Sequence, residues 1–302
     1  MATRAETLGA VRPDQTGSGR RRLALGWLGV APFFLGAGLF LIAPAIALFF
    51  GAFQTEEGEF TGRFVSQLLD EPYRTGYIQS VKISIITAAL GGLIGVFTAY
   101  AALSPAAPRR IRSALTTFSG VAANFGGVPL AFAFISTLGT VGLVTRWLDS
   151  IGLHLYDRGF TLFSFTGLCI VYLYFQIPLM VLVIAPAIDG LRAEWREAAS
   201  NLGASSFEYW RRVGGPILLP SILGGMILLF GGSFAAYATA YALTSGHITF
   251  VPLQIGELIG GNVFSDPHQG YALAVGMIAV IAVAMTIYFL LDRRASRWRK
   301  GA

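Results

Sequence analysis

Six apolar runs, each long enough to cross a bilayer as a helix, constrain this chain more than anything else in its sequence. A spanning helix needs about 20 predominantly apolar residues. Runs of that kind fall near 25–51, 78–103, 114–141, 161–187, 216–244 and 269–291. Charged residues make up 13% of the 302 positions, about half the share found in a soluble domain. Too little polar surface is left to face water on all sides, which excludes a soluble globule and a disordered chain alike. The expectation is an all-α polytopic membrane protein whose residues 23–293 form a six-helix domain. Asn124, Gly126, Gly127 and Pro129 make the third run the least regular, although membrane helices tolerate glycine and proline.

Orientation follows from the basic residues. With a cytoplasmic N-terminus, segments 1–24, 104–113, 188–215 and 292–302 lie inside and hold seventeen of the 22 lysines and arginines. Only Arg63, Arg74, Lys82, Arg146 and Arg158 fall outside or at the outer edge. This matches the positive-inside rule and predicts both termini in the cytoplasm of a bacterial-type inner membrane. The net charge of +6 therefore reflects topology, and no nucleic-acid partner is expected. The first run is longer than the roughly 7–15 apolar residues of a signal peptide, so it reads as an uncleaved span. Residues 1–22 read as a disordered cytoplasmic tail, and 294–302 as a short basic one.

Several chemistries are missing. Cys169 stands alone in an apolar run, and His154, His247 and His268 lack ligand spacing, so no disulfide framework or metal site is expected. Neither lysine, Lys82 or Lys300, follows the glycine-rich pattern of a phosphate-cradling loop. No Asp or Glu lies in any of the six apolar cores, whereas proton-driven carriers generally need buried ionisable groups. Paired carboxylates and nucleophile–base sets are also lacking. The chain thus reads as a non-catalytic membrane subunit whose energy comes from a cytoplasmic partner. The alternative is a self-sufficient secondary transporter, with a sodium site of carbonyls and hydroxyls left open.

The most informative segment is the cytoplasmic loop 188–215, which reads as two short helices. Leu191, Trp195, Ala198, Ala199 and Leu202 recur at helical spacing as an apolar face. Arg192, Glu194, Arg196, Glu197 and Ser200 occupy the other sides. Gly203 stands where a left-handed cap would fall, and Ser205 with Glu208 has the spacing of a capping box. Gly214 and Gly215 then read as the end of the second helix, with Pro216 opening the fifth span. Periodicity alone fits two roles equally: a lever seated in a soluble partner, or an amphipathic helix on lipid headgroups.

Glu197-Ala198-Ala199, three residues, Gly203, nine residues, Val213, two residues and Pro216 resemble the EAA loop of ABC-importer permeases. Val213 replaces the pattern's isoleucine and Gly215 its leucine. The resemblance implies a six-helix, type I ABC-importer permease fold. It also implies that Arg196, Glu197, Ala198, Ala199, Gly203, Val213 and Pro216 form the coupling element to an ATPase. Such permeases assemble with a dimer of ATP-binding subunits, a second permease chain (identical or homologous) and an extracytoplasmic solute-binding protein. ATP and magnesium would be bound by the ATPase, with no cofactor in this chain.

The solute is less legible. Phe230, Ser233, Phe234, Tyr237, Tyr241 and Thr244 form a stripe along the fifth run. Such a stripe serves either helix packing or a solute pathway. Asn124 carries the same two readings, while Gly91 and Gly95 form a G-x-x-x-G pair suited to close helix contact. The candidate pathway residues are Asn124, Ser233, Tyr237, Tyr241 and Thr244. The overall pattern resembles the spermidine/putrescine, phosphonate, iron and sulfate group, which makes a polyamine the first expectation, then phosphonate, iron or another small solute. Ser233 stands where many of these relatives carry an acid. Glu56, Glu57, Glu59, Asp70 and Glu71 read as a solvated outer face or a docking rim for a binding protein.

Overall fold

The computed structural model describes residues 29–103, 107–244, 247–260 and 266–300, with side chains described as far as Arg293. The tail expected at 1–22 lies outside the described residues. The chain divides into two compact units, Met1–Gly51 and Ala52–Ala302. Within the first, α1 (Gly29–Gly51) is one apolar helix with a π turn at Gly38–Ile42. At 1.5 Å per residue its 23 residues reach about 35 Å, enough for the hydrocarbon core.

The second unit contains α2 (Tyr73–Leu103), α3 (Arg109–Asn124), α4 (Gly127–Leu138), α5 (Leu143–Ser150) and α6 (Phe165–Asp189). These are followed by α7 (Ala193–Asn201), α8 (Ser206–Phe234), α9 (Ala238–Thr244), α10 (Val251–Ile259) and α11 (Pro267–Lys300). Among the described residues six stretches are long and apolar enough to cross a membrane. Among the described residues the only β pairing is an isolated bridge between Gln54 and Phe60. The basic residues expected as a free tail from 294 continue α11 as far as Lys300.

The third passage consists of two helices in tandem. Arg112, in the first turn of α3, bonds to Asp189 at the end of α6. Phe125 and Phe134 place their rings 6.3 and 5.7 Å from that of Tyr174, which lies about 22 Å along α6 from Asp189. Thus α3 runs antiparallel to α6, and α4 continues from it beside Tyr174. The expected span at 114–141 falls on α3 and α4, interrupted at Phe125–Gly126, whereas the stretch long and apolar enough to cross by itself is Gly127–Ser150, which takes in α4 and α5.

Close helix contact organises the centre. Lipid tails are as apolar as leucine, so membrane helices associate through packing and interhelical hydrogen bonds. Gly91 and Gly95 lie against α6, as their spacing predicts. A Cβ on Gly91 would stand 2.8 Å from Gln176 Oε1, and one on Gly95 2.9 Å from the Ile177 carbonyl oxygen. Met180 is fully buried between Gly95 of α2 and Gly225 of α8. Nearby, Thr87, Gln176 and Ser233 join α2, α6 and α8 by side-chain hydrogen bonds. Each is at most 3% exposed. Ser233, expected in a pathway stripe, serves this interhelical cluster.

The fifth passage departs most from expectation. Helix α8 starts at Ser206 and runs through Gly214–Gly215 without ending, by way of a π turn at Trp210–Gly214. Glycine is needed for close approach: a Cβ on Gly214 would stand 2.7 Å from the Trp210 ring, and one on Gly215 2.6 Å from the Trp210 carbonyl oxygen. A leucine at 215, as in the family pattern, would strike that carbonyl. The start of α8 carries the capping box read from sequence. Ser205 Oγ accepts from the Glu208 amide at 3.3 Å, and Glu208 Oε2 accepts from the Ser205 amide at 2.9 Å. Ser205→Ala should cost about 1 kcal/mol locally. Faster hydrogen exchange at 205–209, with α6 unchanged, is the measurement.

Candidate functional site

Two features are candidates: the cytoplasmic elbow and the place where two interrupted spans meet. The elbow begins with α7, which ends in a Schellman turn. The Gly203 amide donates to the Ser200 carbonyl and the Ala204 amide to the Ala199 carbonyl. Gly203 has φ +80°, where a side chain is strained. Two residues later α8 starts on its capping box, so both sides of the bend are held by backbone hydrogen bonds.

The structure orients the two faces of α7, which periodicity left open. Arg192, Ala193, Arg196, Glu197, Ser200 and Asn201 turn towards a cavity of about 880 Å³ under the cytoplasmic helix ends. Its other walls include Tyr100 and Leu103 of α2, Ile188 and Asp189 of α6, and Tyr209 and Trp210 of α8. Arg112 donates to both oxygens of Asp189 at 2.7 and 2.6 Å, and Tyr100 meets Trp210 edge to face at 4.9 Å. The apolar stripe does not pack on the bundle as a unit. Leu191 and Ala199 are half-buried, while Trp195, Ala198 and Leu202 are exposed. Leu202 is 87% exposed and Phe207, across the bend, 73%. Val213 is half-buried within the π turn and Pro216 exposed in the turn after it.

The second feature lies between spans three and five. Helix α3 breaks at Phe125–Gly126, and α4 resumes at Gly127 with φ +69°. Helix α8 ends at Phe234, and α9 resumes at Ala238. The two breaks flank a cavity of about 320 Å³ lined by Ala123, Asn124, Gly126, Gly127, Ala236–Thr239 and Phe175. Thr239 Oγ1 donates to the Gly127 carbonyl at 3.2 Å, and the Tyr172 hydroxyl donates to the Ala236 carbonyl at 3.3 Å. Interrupted membrane helices with backbone turned towards a cavity are a recurring way to build a solute site.

Of the five pathway candidates, this cavity gathers Asn124 and Tyr237. Tyr241 stacks on Tyr237 with ring centroids 5.6 Å apart. Asn124 bonds within its own helix, to the Gly120 carbonyl at 2.8 Å. Ser233 belongs to the buried cluster, and Thr244, 1% exposed, bonds to the Ala240 carbonyl. Gly127, Thr239 and Phe175 were missed. The signal available for the first was the Gly126-Gly127-x-Pro129 interruption inside an apolar run. No carboxylate lines the cavity. Among the described residues no three His, Cys, Asp or Glu side chains group as a metal site.

An all-helical membrane bundle with two interrupted spans around an uncharged cavity, and a rigid elbow at its cytoplasmic ends, has the architecture of a solute permease. Residues 157–297 match the family described as the binding-protein-dependent transport system inner membrane component. A probable sulfate transport permease of Nephroselmis olivacea is 26% identical over 83% of this chain and 84% of its own length. A molybdenum transport permease of Mycobacterium tuberculosis is 28% identical over 53% of this chain and 56% of its own. Among solved structures, a bacterial ABC transporter that imports alginate aligns with TM-score 0.70 at 18% identity. That alignment covers 91% of this chain and 96% of the transporter's chain, and it shows the shared fold. None of these relatives is named for a polyamine, so that expectation gains no support.

Proposed function

We propose that this chain forms half of the translocation pathway of an ATP-driven importer for a small inorganic oxyanion of the sulfate or molybdate type. The observation that carries the importer reading is the elbow, with Trp195, Ala198 and Leu202 turned away from the bundle on a helix fixed directly to spans four and five. This edge is the surface offered to a cytoplasmic ATPase, which would bind ATP and magnesium. Arg196 and Glu197, on the cavity side, hold the elbow's orientation against the Arg112–Asp189 pair and the Tyr100–Trp210 wall. Gly203 sets the bend, and Val213 and Pro216 carry displacement into span five. A second permease chain and an extracytoplasmic binding protein complete the assembly, with Glu56, Glu57 and Glu59 as part of the outer docking rim.

The solute assignment rests on the named relatives and on the chemistry of the cavity at the helix breaks. A polyamine cation would favour a carboxylate in its path. The lining instead offers the polar side chains of Asn124, Tyr237 and Thr239. Positive helix ends in such breaks suit anions. The test is uptake into vesicles containing this chain, its ATPase and its binding protein. ATP-dependent accumulation of sulfate or molybdate, and none of putrescine, is expected. Putrescine uptake would overturn the solute assignment, and accumulation by this chain with no ATPase present would replace the importer with a secondary carrier.

A further inference from the structure

The outer connection between α4 and α6 contains a helix that none of the preceding roles uses. Residues 139–164 leave the bundle at the outer end of α4 and return at the outer end of α6. The loop is tied back by the Tyr156 hydroxyl, which donates to the Leu138 carbonyl at 2.8 Å. Ser164 caps α6 by accepting from the Gly167 amide. Since both anchors lie where spans emerge, α5 (Leu143–Ser150) is held at the outer boundary of the membrane.

Its surface divides into three sectors. Thr145, 2% exposed, with the half-buried Leu148 and Asp149, faces the protein. Leu143, Val144 and Trp147 form an apolar sector, with Leu143 75% and Trp147 62% exposed. Arg146 and Ser150 are exposed along the edge that adjoins Leu143. Facing water, the apolar sector would cost roughly 25 cal/mol for each Å² left uncovered. Asp149 is already engaged with His154 at 3.2 Å, whereas Arg146 has no ion pair among the described residues.

We propose that α5 is an interfacial helix whose occupant is the outer lipid leaflet. Leu143, Val144 and Trp147 enter the acyl boundary, and Arg146 pairs with anionic phospholipid headgroups. Three facts select lipid. The helix is tethered at bilayer level, its apolar sector follows the membrane-embedded α4 after a four-residue turn, and its polar edge carries a cation suited to phosphate. An amphipathic ring such as tryptophan is also favoured at this depth.

Cys169 is the sole cysteine, which permits a direct test in the complex of this chain with its ATPase. In a Cys169→Ala background, Leu143→Cys, Trp147→Cys and Arg146→Cys are nitroxide-labelled singly. They are then reconstituted in phosphatidylglycerol–phosphatidylethanolamine vesicles. If Cys169→Ala lowers the yield, wild-type Cys169, only 8% exposed, stays in place and the otherwise unmodified protein sets the labelling background. Positions 143 and 147 should favour collision with oxygen over a water-soluble nickel complex by about fivefold relative to 146. Nickel access at all three positions would overturn the proposal by placing α5 in water. Protection of 143 and 147 from both probes would overturn it in favour of a protein cover.

Discussion

Gly95→Leu should leave almost no folded protein recoverable from membranes, while Gly231→Ala should be recovered like the wild type. At Gly95, a Cβ would lie 2.5 Å from Met180 Cβ and 2.9 Å from the Ile177 carbonyl oxygen. The second contact is backbone, so a rotamer change cannot relieve it, and Met180 is itself fully enclosed. Overpacking a core by a methylene or so costs about 1–3 kcal/mol. Leucine adds four carbons at a seam where helix association depends on packing. At Gly231 an added methyl group would meet nothing within 4 Å. Gel filtration and thermal melting of detergent extracts give the readout. A Gly95→Leu protein with wild-type yield and melting temperature would show that α2 and α6 are farther apart than described.

The second large effect is expected at the bend. Gly203→Val should reduce binding-protein-stimulated ATP hydrolysis about tenfold, with membrane abundance unchanged. Its φ of +80° is costly for a β-branched residue, and a non-glycine residue in the left-handed region loses about 1–2 kcal/mol. That is close to a tenfold loss of the bent conformation, on the scale of 1.36 kcal/mol per decade. Asparagine visits the left-handed region readily, so Gly203→Asn should keep most of the stimulation. Equal loss in both variants would make side-chain bulk at the ATPase contact the cause, and normal stimulation in both would remove the elbow from the coupling route.

The parts of this fold legible in the sequence are those set by local chemistry or by simple spacing. The apolar runs give the passages, Ser205 and Glu208 give the cap of α8, Gly203 gives the bend, and Gly91 with Gly95 gives the contact with α6. The helix interruptions were not legible as the meeting point of two spans, because what joins them is long-range. Thr239 reaches Gly127 across 112 positions, and Tyr172 reaches Ala236 across 64. The pair Gly214–Gly215 misled for a related reason. Glycine commonly ends a helix, yet here it makes room for Trp210 inside a continuing one. The orientation of α7 was likewise undetermined, since periodicity separates two faces without saying which one turns to the bundle.

The chamber between the broken spans lies where two helices expose unpaired turns of backbone, and this bears on how such a protein can change over generations. Peptide groups keep their donors and acceptors whatever residue they carry, so amino-acid replacement leaves the Gly127 and Ala236 carbonyls in place. What drift can alter is its girth, through Phe175, Ala123 and Ala236. New cargo preferences would then arise by resizing, with no need to reinvent the motor linkage that precedes the second break along the chain.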